Sequence, residues 1–223
     1  MLNHNYIAQM IESSVLNIRH LTDHTFIIKV ERHDINFQPG QYMIVKFPHD
    51  RESREYSIYN KVDDDYLQFL IRDVKDGYLS SRLKNINQGT LIEMEGPYGF
   101  FTLPVKNKNS NKYVFIATGT GISPIHSILT SEPDIDYQII HGIRIPEEKY
   151  QFTDYNQANY KACVTGVHSN DFHGRVTDYL KTEKPNPEAS YYLSGNSAMI
   201  NDVTNYLLAS QIPIERINTE IYF

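Results

Sequence analysis

The pattern of the chain changes at one polar connecting segment, residues 103–112, which is rich in asparagine and lysine and shows no hydrophobic periodicity. Before it, short β-rich or alternating segments stand between turn residues, and one short helix is predicted over 78–84. The predicted strands are 14–19, 24–31, 41–47, 55–59, 66–72 and 90–94. Short strands at this spacing are typical of an antiparallel β-barrel.

After the connecting segment, predicted strands alternate with predicted helices. The strands are 113–117, 137–143, 161–165 and 190–193, and the helices are 123–129, a polar stretch from Glu147, 176–180 and 198–209. Such alternation predicts a parallel sheet covered by helices. We therefore predict two domains, an antiparallel β-barrel domain over 1–104 and an α/β parallel-sheet domain over 112–223, which agrees with a length of 223 residues.

Composition narrows the classes of function. The formal charge is -6 and there is no run of basic residues, so a nucleic-acid partner is not expected. The single cysteine, Cys163, rules out an internal disulfide and a cysteine-ligated iron–sulfur cluster or zinc ion, and the nine histidines show no metal-site spacing. No metal is predicted. Nothing in the sequence has the length of a membrane span or the pattern of a signal peptide, which predicts a cytoplasmic protein.

Segment 118–124, Thr-Gly-Thr-Gly-Ile-Ser-Pro, follows a predicted buried strand and precedes a predicted helix. This is where doubly wound sheets hold the phosphates of a nucleotide. The segment departs from the pattern Gly-x-Gly-x-x-Gly at Pro124, and the next strand ends at Arg144, where dinucleotide-binding domains commonly carry an acidic residue. Because a guanidinium group suits a 2′-phosphate, Arg144 favours NADP over NAD.

Residues 54–57, Arg-Glu-Tyr-Ser, lie on a predicted barrel strand. Arg54 offers a planar set of donors suited to a pyrophosphate, Tyr56 a ring that can stack on an aromatic group, and Ser57 a hydroxyl that can reach a ring nitrogen. Strand alternation separates Glu55 and Ser57, on one face, from the other two residues. Taken alone, these four residues favour an ordinary edge strand with a solvated arginine.

Four further segments accompany these two motifs. They are 37–42 (Phe-Gln-Pro-Gly-Gln-Tyr), 76–81 (Asp-Gly-Tyr-Leu-Ser-Ser), 96–100 (Gly-Pro-Tyr-Gly-Phe) and 220–223 (Glu-Ile-Tyr-Phe). In this order and at these spacings the whole set resembles the ferredoxin-NADP reductase family, and the ending is most similar to its compact bacterial flavodoxin/ferredoxin reductases. The resemblance covers almost the full chain.

The resemblance implies an FAD-dependent enzyme that transfers hydride between NADP(H) and FAD, and single electrons between FAD and a separate ferredoxin or flavodoxin. It assigns Arg54 to the FAD pyrophosphate, Tyr56 to the isoalloxazine and ribityl region, and Ser57 to flavin N5. It places Tyr222 over the isoalloxazine and Phe223 near the adenine, and packing in the interdomain core is the alternative for Phe223. The implied site is completed for FAD by Ile71, Gly77, Leu79 and Ser80, for NADP by Thr118, Gly119, Thr120, Gly121, Arg144, Thr165, Arg175 and Gly195, and for catalysis by Ser57, Glu220, Tyr222 and Ser194.

The chain also departs from that family. NADP-specific relatives often carry a Ser-Arg pair where this chain has 164–168 (Val-Thr-Gly-Val-His), so Arg175 either substitutes for the arginine or is a surface residue at a helix start. Ser194 stands where the family has a cysteine, and Cys163 is predicted to be a buried strand residue with no catalytic role. Two other functions stay open, an NAD(P)H:flavin reductase and a reductase component or electron-transfer subunit of a larger oxygenase-type system. A monomer is favoured, and the oligomeric state is left open.

Overall fold

A computed structural model of the chain describes residues 10–75, 77–105 and 111–222. The elements of its first half are β1 (Ile11–Thr22), β2 (Thr25–Glu31), β3 (Tyr42–Lys46), β4 (Arg54–Ser57), β5 (Tyr66–Arg72), α1 (Tyr78–Leu83) and β6 (Leu91–Tyr98). The strands form one antiparallel sheet in the order β4-β3-β6-β1-β2-β5. Just after β4, Ile58 bridges to Phe69 of β5, and the Tyr59 N–H donates to the Gln68 carbonyl oxygen at 2.8 Å. The two outer strands therefore meet, and the sheet closes into the predicted barrel.

Alternating apolar side chains fill this barrel. Met43 and Val45 of β3 and Ile92 and Met94 of β6 are fully buried in one core. The inward side of α1 joins the same core through Leu79 and Leu83. The barrel therefore fixes the positions of β4, which carries 54–57, and of the start of α1, which Gly77 precedes.

The second half forms a parallel sheet with helices on both faces. Its elements are β7 (Lys112–Thr118), α2 (Ile122–Ser131), β8 (Asp136–Ile143), β9 (Tyr160–Val164), β10 (Phe172–His173), α3 (Val176–Leu180), β11 (Ser190–Asn196), α4 (Ser197–Ala209) and β12 (Ile217–Tyr222). The strand order is β10-β9-β8-β7-β11-β12, with every neighbouring pair parallel. The predicted two-domain fold is confirmed. In the part of the chain that the structure describes, no helix is long and apolar enough to cross a membrane.

The polar helix predicted from Glu147 is wrong. Three 3₁₀ turns take its place, at Pro146–Glu148, Phe152–Asp154 and Gln157–Asn159. Tyr150 and Tyr155, which lie between these turns, are buried in the core shared by the two domains. The path of this segment is therefore set by tertiary burial of two tyrosines, which a helical pattern of polar residues does not reveal.

Two edge strands, β10 and β12, were not predicted. β10 has two residues, and β12 alternates between half-buried and exposed side chains beside a single neighbour, β11. The first three residues of segment 96–100 are the last three residues of β6. The domain boundaries at 104 and 112 stay a prediction, since residues 106–110 lie outside the described residues.

The two domains share one buried interface. Ile27, Tyr59 and Leu70 of the barrel belong to the same apolar core as Ile125 of α2. Polar contacts cross it as well, because His126 Nδ1 donates to the Tyr59 carbonyl oxygen at 2.6 Å. The Ser127 hydroxyl similarly donates to the Asn60 carbonyl oxygen at 2.7 Å. These contacts hold α2 of the parallel-sheet domain against the barrel.

Candidate active site

A cleft of about 1010 Å³ lies between the barrel and the parallel sheet. The barrel contributes β4, the end of β5 and the start of α1, and the sheet contributes its carboxyl edge, which is where ligands bind in open α/β sheets. The predicted site residues that line it are Arg54, Tyr56, Ser57, Ile71, Gly77, Leu79, Ser80, Thr118, Gly119, Thr120, Gly121, Arg144, Thr165, Arg175, Gly195 and Tyr222. Glu220 and Ser194 do not line this cleft, and Phe223 lies outside the described residues.

Ser57 lies where the barrel meets the last strand. It pairs with Tyr42 of β3, and the register of β12 on β11 carries Glu220 and Tyr222 to the same place. The Ser57 hydroxyl donates to Glu220 Oε1 at 3.2 Å and also forms a hydrogen bond with the Tyr222 hydroxyl. A serine hydroxyl has one proton, which here goes to Glu220, so Tyr222 is the donor in the second bond. The result is a chain of hydrogen bonds from Tyr222 through Ser57 to Glu220.

The acid of this chain has an unusual pKa. Burial raises the pKa of Glu220 from 4.5 to about 7, the Ser57 hydrogen bond opposes this shift, and the negative charge of Glu55 adds to it. Burial also raises the pKa of Tyr222, so its hydroxyl keeps its proton. A carboxyl group that titrates near neutral pH and touches a serine hydroxyl can give or accept a proton in the cleft through that hydroxyl.

Arg54 and Tyr56 extend from β4 into the cleft. The Arg54 guanidinium group is exposed, donates to the Ser53 carbonyl oxygen at 2.7 Å, and lies 3.4 Å from the Glu52 carboxylate. An exposed ion pair of this kind contributes little, so an anionic ligand can compete for the guanidinium group. Tyr56 is half-buried, with its ring centroid 6.4 Å from that of Phe69. The face of the strand that carries these two side chains is therefore available to a ligand.

The end of β7 and the 3₁₀ turn that follows it abut the end of β11 through two glycines. A Cβ atom on Gly121 would lie 2.4 Å from the Ser194 carbonyl oxygen, and one on Gly195 would lie 2.2 Å from Thr118 Oγ1. Any side chain at either position would therefore push the two segments apart. Asn196 strengthens the contact, since its Nδ2 donates to Thr118 Oγ1 at 3.1 Å. The two segments together form one continuous wall of the cleft.

Arg144 and Arg175 occupy the far end of this wall. Arg144 directly follows β8, and Arg175 precedes α3, where its N–H donates to Asp178 at 2.9 Å. Both line the cleft together with Thr165, whose hydroxyl donates to the Ile143 carbonyl oxygen at 3.3 Å. Two guanidinium groups that line one cleft favour a ligand with a phosphate group at this end.

The sequence analysis missed a partly buried ion pair across the cleft, between Arg72 and Glu148. Arg72, the last residue of β5, lies 3.5 Å from Glu148 Oε1, and the Arg144 N–H donates to Glu148 Oε2 at 2.8 Å. The position of Arg72 at the end of a predicted strand could have identified it as a candidate site residue. Glu148, a partner 76 positions further along the chain, had none. Asn196, Met199 and Asp202 also line the cleft and were not predicted.

Ser194 and the single cysteine, Cys163, are both buried. Ser194 is fully buried beside the Tyr222 hydroxyl. Burial raises the pKa of the Cys163 thiol to about 12, which keeps it protonated and unreactive. That Cys163 has no catalytic role stays a prediction.

A second cavity of about 850 Å³ lies on the other side of β4 and β12. It shares Glu55, Ser57, Ile221 and Tyr222 with the cleft. The rest of its lining is Gln41, Tyr42, Pro97, Tyr98, Gly99, Phe100, Phe101, Ile217, Asn218, Thr219 and Glu220. At its rim the Phe100 side chain is 98% exposed. Ser57 and Tyr222 therefore form a thin partition between two openings.

Comparison with known proteins places this geometry in a class. Residues 13–103 match the model of the oxidoreductase FAD-binding domain. The chain is 26% identical over 218 residues to the toluate 1,2-dioxygenase electron transfer component of Pseudomonas putida, which covers 90% of this chain and 64% of that relative. It is 26% identical over 226 residues to the flavodoxin/ferredoxin–NADP reductase of Buchnera aphidicola, which covers 89% and 90% of the two chains.

Among solved structures, the ferredoxin NADP+ reductase from Neisseria gonorrhoeae with bound FAD and NADP superposes with a TM-score of 0.86 at 23% identity, over 97% of this chain and 100% of that chain. The chain is thus an oxidoreductase with an FAD-binding domain. Its relatives and structural neighbours include members of the ferredoxin-NADP reductase family, whose two-domain fold it shares. It spans less than two thirds of the length of several oxygenase components that it matches, for example 56% of the 2-halobenzoate 1,2-dioxygenase electron transfer component.

Proposed function

We propose that the chain is an FAD-dependent reductase that passes electrons between NADP(H) and ferredoxin or flavodoxin. One observation carries this proposal: arginines for two anionic dinucleotides, Arg54 from the barrel and Arg144 with Arg175 from the parallel sheet, line one cleft on either side of Ser57. When bound, FAD supplies the conversion between two-electron and one-electron transfer. The residues of the chain bind and orient the two dinucleotides and transfer protons.

The barrel side of the cleft fits FAD. Arg54 is held only by an exposed ion pair and a backbone contact, so it can turn to a pyrophosphate. Ile71 and Leu79 are buried apolar residues that line the cleft, and an apolar lining suits a flat ring system. Ser57 would contact the reactive edge of the flavin, which requires the Tyr222 hydroxyl to yield or share its bond to Ser57.

The parallel-sheet side fits NADP(H). Segment 118–121 would hold the diphosphate at the start of α2, and Arg144 with Arg175 would hold the 2′-phosphate. Two arginines on this side support NADP over NAD, because the corresponding hydroxyl of NAD offers no charge to pair with them. The Ser57–Glu220 pair would move the proton that accompanies electron transfer, since the pKa of Glu220 lies at about 7.

The second cavity supports a separate entry for the electron carrier. Ser57 and Tyr222 line both openings, so an acceptor on this side would approach the same centre without displacing the coenzyme. We propose that the carrier contacts the aromatic rim at Tyr98 and Phe100. A second candidate function, a reductase component of an oxygenase system, is favoured by the likeness to the toluate 1,2-dioxygenase component.

The test begins with the purified full chain. We expect it to carry bound FAD, seen as visible flavin absorption, and to oxidise NADPH faster than NADH with ferricyanide as acceptor. Ferredoxin and flavodoxin then replace ferricyanide. Protein that neither retains nor rebinds FAD would contradict the proposal. Reduction of ferricyanide but of neither carrier would favour the oxygenase component, and release of reduced flavin at each turnover would favour a flavin reductase.

A further inference from the structure

His141 lies on β8, outside the cleft, and is fully buried. Its Nε2 lies 2.8 Å from the Gly119 carbonyl oxygen, which only accepts, so Nε2 is the donor. Its Nδ1 lies 2.5 Å from the Tyr160 hydroxyl, which then donates to the unprotonated ring nitrogen. Both ring nitrogens are satisfied by one neutral tautomer. Burial also lowers the pKa of His141 to about 4, which keeps the ring neutral across the physiological range.

The Gly119 carbonyl oxygen has two donors. One is local, the Ile122 N–H of the 3₁₀ turn, and the other is the imidazole of the neighbouring strand. Gly119 has φ +54, a conformation that a residue with a side chain rarely adopts. Such a peptide unit would be free to rotate if only the local bond held it, and His141 ties it to the body of the sheet.

The orientation of this peptide unit decides what the cleft presents to an anion. In a trans peptide, the carbonyl oxygen and the following N–H point in opposite directions. Because the Gly119 carbonyl oxygen is turned inward to His141, the Thr120 N–H is turned outward, and both residues line the cleft. With the unit flipped, a carbonyl oxygen would face the same space and repel a phosphate.

We propose that His141, with Tyr160, is a positioning residue for the coenzyme diphosphate: its imidazole N–H holds the Gly119 peptide unit so that the Thr120 N–H is available to a phosphate oxygen. This inference rests on the proposed binding of NADP(H). It assigns to a buried strand residue a role in coenzyme affinity, separate from FAD binding and from the electron acceptor.

The test compares three variants of the full-length, FAD-loaded protein. His141→Leu, which has no donor, should raise the Kd for NADP+ and the KM for NADPH by roughly ten-fold, the loss expected for one hydrogen bond to a charged group. The value of kcat at saturating NADPH and the FAD affinity should change less than about two-fold. His141→Gln, which keeps an N–H donor, should recover most of the NADP+ affinity. Tyr160→Phe keeps the aromatic ring but no longer donates to His141 Nδ1, so it no longer fixes the tautomer of the imidazole. Its NADP+ affinity should lie between those of the wild type and His141→Leu.

A direct readout separates positioning from a general structural role. In amide NMR spectra, titration with NADP+ should shift the Thr120 resonance in the wild type and in His141→Gln, and much less in His141→Leu. Equal NADP+ affinity in the wild type and His141→Leu would overturn the inference, as would parallel losses of FAD and NADP+ affinity in both His141 variants. If neither His141 variant folds, unchanged NADP+ affinity in Tyr160→Phe would overturn it. A wild type that binds no NADP(H) would instead refute the proposed function.

Discussion

The two openings that meet at Ser57 and Tyr222 have linings of opposite formal charge. The cleft is lined by four arginines, Arg54, Arg72, Arg144 and Arg175, and by three carboxyl groups, Glu55, Glu148 and Asp202, so its formal charge is positive. Among the described residues that line the second cavity there is no arginine or lysine, and its charged residues are Glu55 and Glu220. Elements of both domains line both openings, and the aromatic residues of the second cavity are Tyr42, Tyr98, Phe100, Phe101 and Tyr222.

This difference shows how one chain can keep two partners apart. Anionic dinucleotides are attracted to the cleft, where arginines outnumber carboxyl groups, and are repelled by the second cavity, whose charged lining residues are Glu55 and Glu220. A partner at the second cavity must be recognised mainly through apolar contact. The hydrogen-bonded Ser57, Glu220 and Tyr222 stand between the two, so substitutions on either side should affect one partner and leave the other largely unchanged.

The largest effect is expected on the cleft side at Arg54. Arg54→Ala should weaken FAD binding by roughly 10- to 150-fold, because one charge-assisted contact of about 1.5–3 kcal/mol is lost. Fluorescence titration of the flavin-free protein with FAD measures this. The matched control is Arg51→Ala, a nearby exposed arginine that lines neither cavity. Equal FAD affinity in wild type and Arg54→Ala would remove Arg54 from the site.

Coenzyme choice should depend on the far end of the same cleft. Arg144→Ala should raise the Kd for NADPH roughly ten-fold or more while leaving that for NADH within about two-fold, since the lost contact involves only the 2′-phosphate. Stopped-flow titration of each coenzyme gives both constants, with Lys181→Ala, a substitution on the exposed surface, as control. Equal weakening of both coenzymes would show that Arg144 supports the loop and does not select the coenzyme.

The local motifs of this site could be predicted from sequence, and the contacts that join them could not. A pattern of strand, glycine-containing loop and helix is enough to place 118–121 at the carboxyl edge of a parallel sheet. The placement of Arg54 follows from the prediction of its own strand. The Ser57–Tyr222 bond joins residues 165 positions apart and depends on β12, an edge strand with weak periodicity. The same applies to Glu148, which lies in a segment predicted to be a helix.

The partition itself gives a pH-dependent prediction. Because the folded-state pKa of Glu220 is raised from 4.5 to about 7, the folded chain binds more protons than the unfolded chain between these values. The stabilisation is present below pH 4.5 and is lost as the pH rises through 7. Glu220→Gln should therefore make the flavin-free protein more stable than wild type at about pH 8, on the order of 1–2 kcal/mol after allowance for partial exposure.

Urea unfolding at about pH 5 and pH 8 measures this difference. Wild type should lose stability relative to Glu220→Gln over that interval, and Glu215→Gln, an exposed carboxylate far from the site, should track wild type. A constant difference between wild type and Glu220→Gln at both pH values would mean that Glu220 does not titrate in this range.

The smallest effect is expected at the rim of the second cavity, where the two openings are most sharply distinguished. Phe100→Ser should raise the KM for a protein carrier by about two- to ten-fold, because a fully exposed phenyl ring would be buried in the contact. Affinities for FAD and NADPH should not change, since Phe100 does not line the cleft. Val105→Ser is the matched control, with a side chain that is 90% exposed and lies outside the second cavity. Equal effects of Phe100→Ser and Val105→Ser would place the carrier elsewhere on the surface.

The second cavity also gives a prediction about salt. Because no lysine or arginine is among its described lining residues, the KM for the carrier should change little with salt concentration. A steep dependence of this KM on salt would likewise place the carrier elsewhere on the surface.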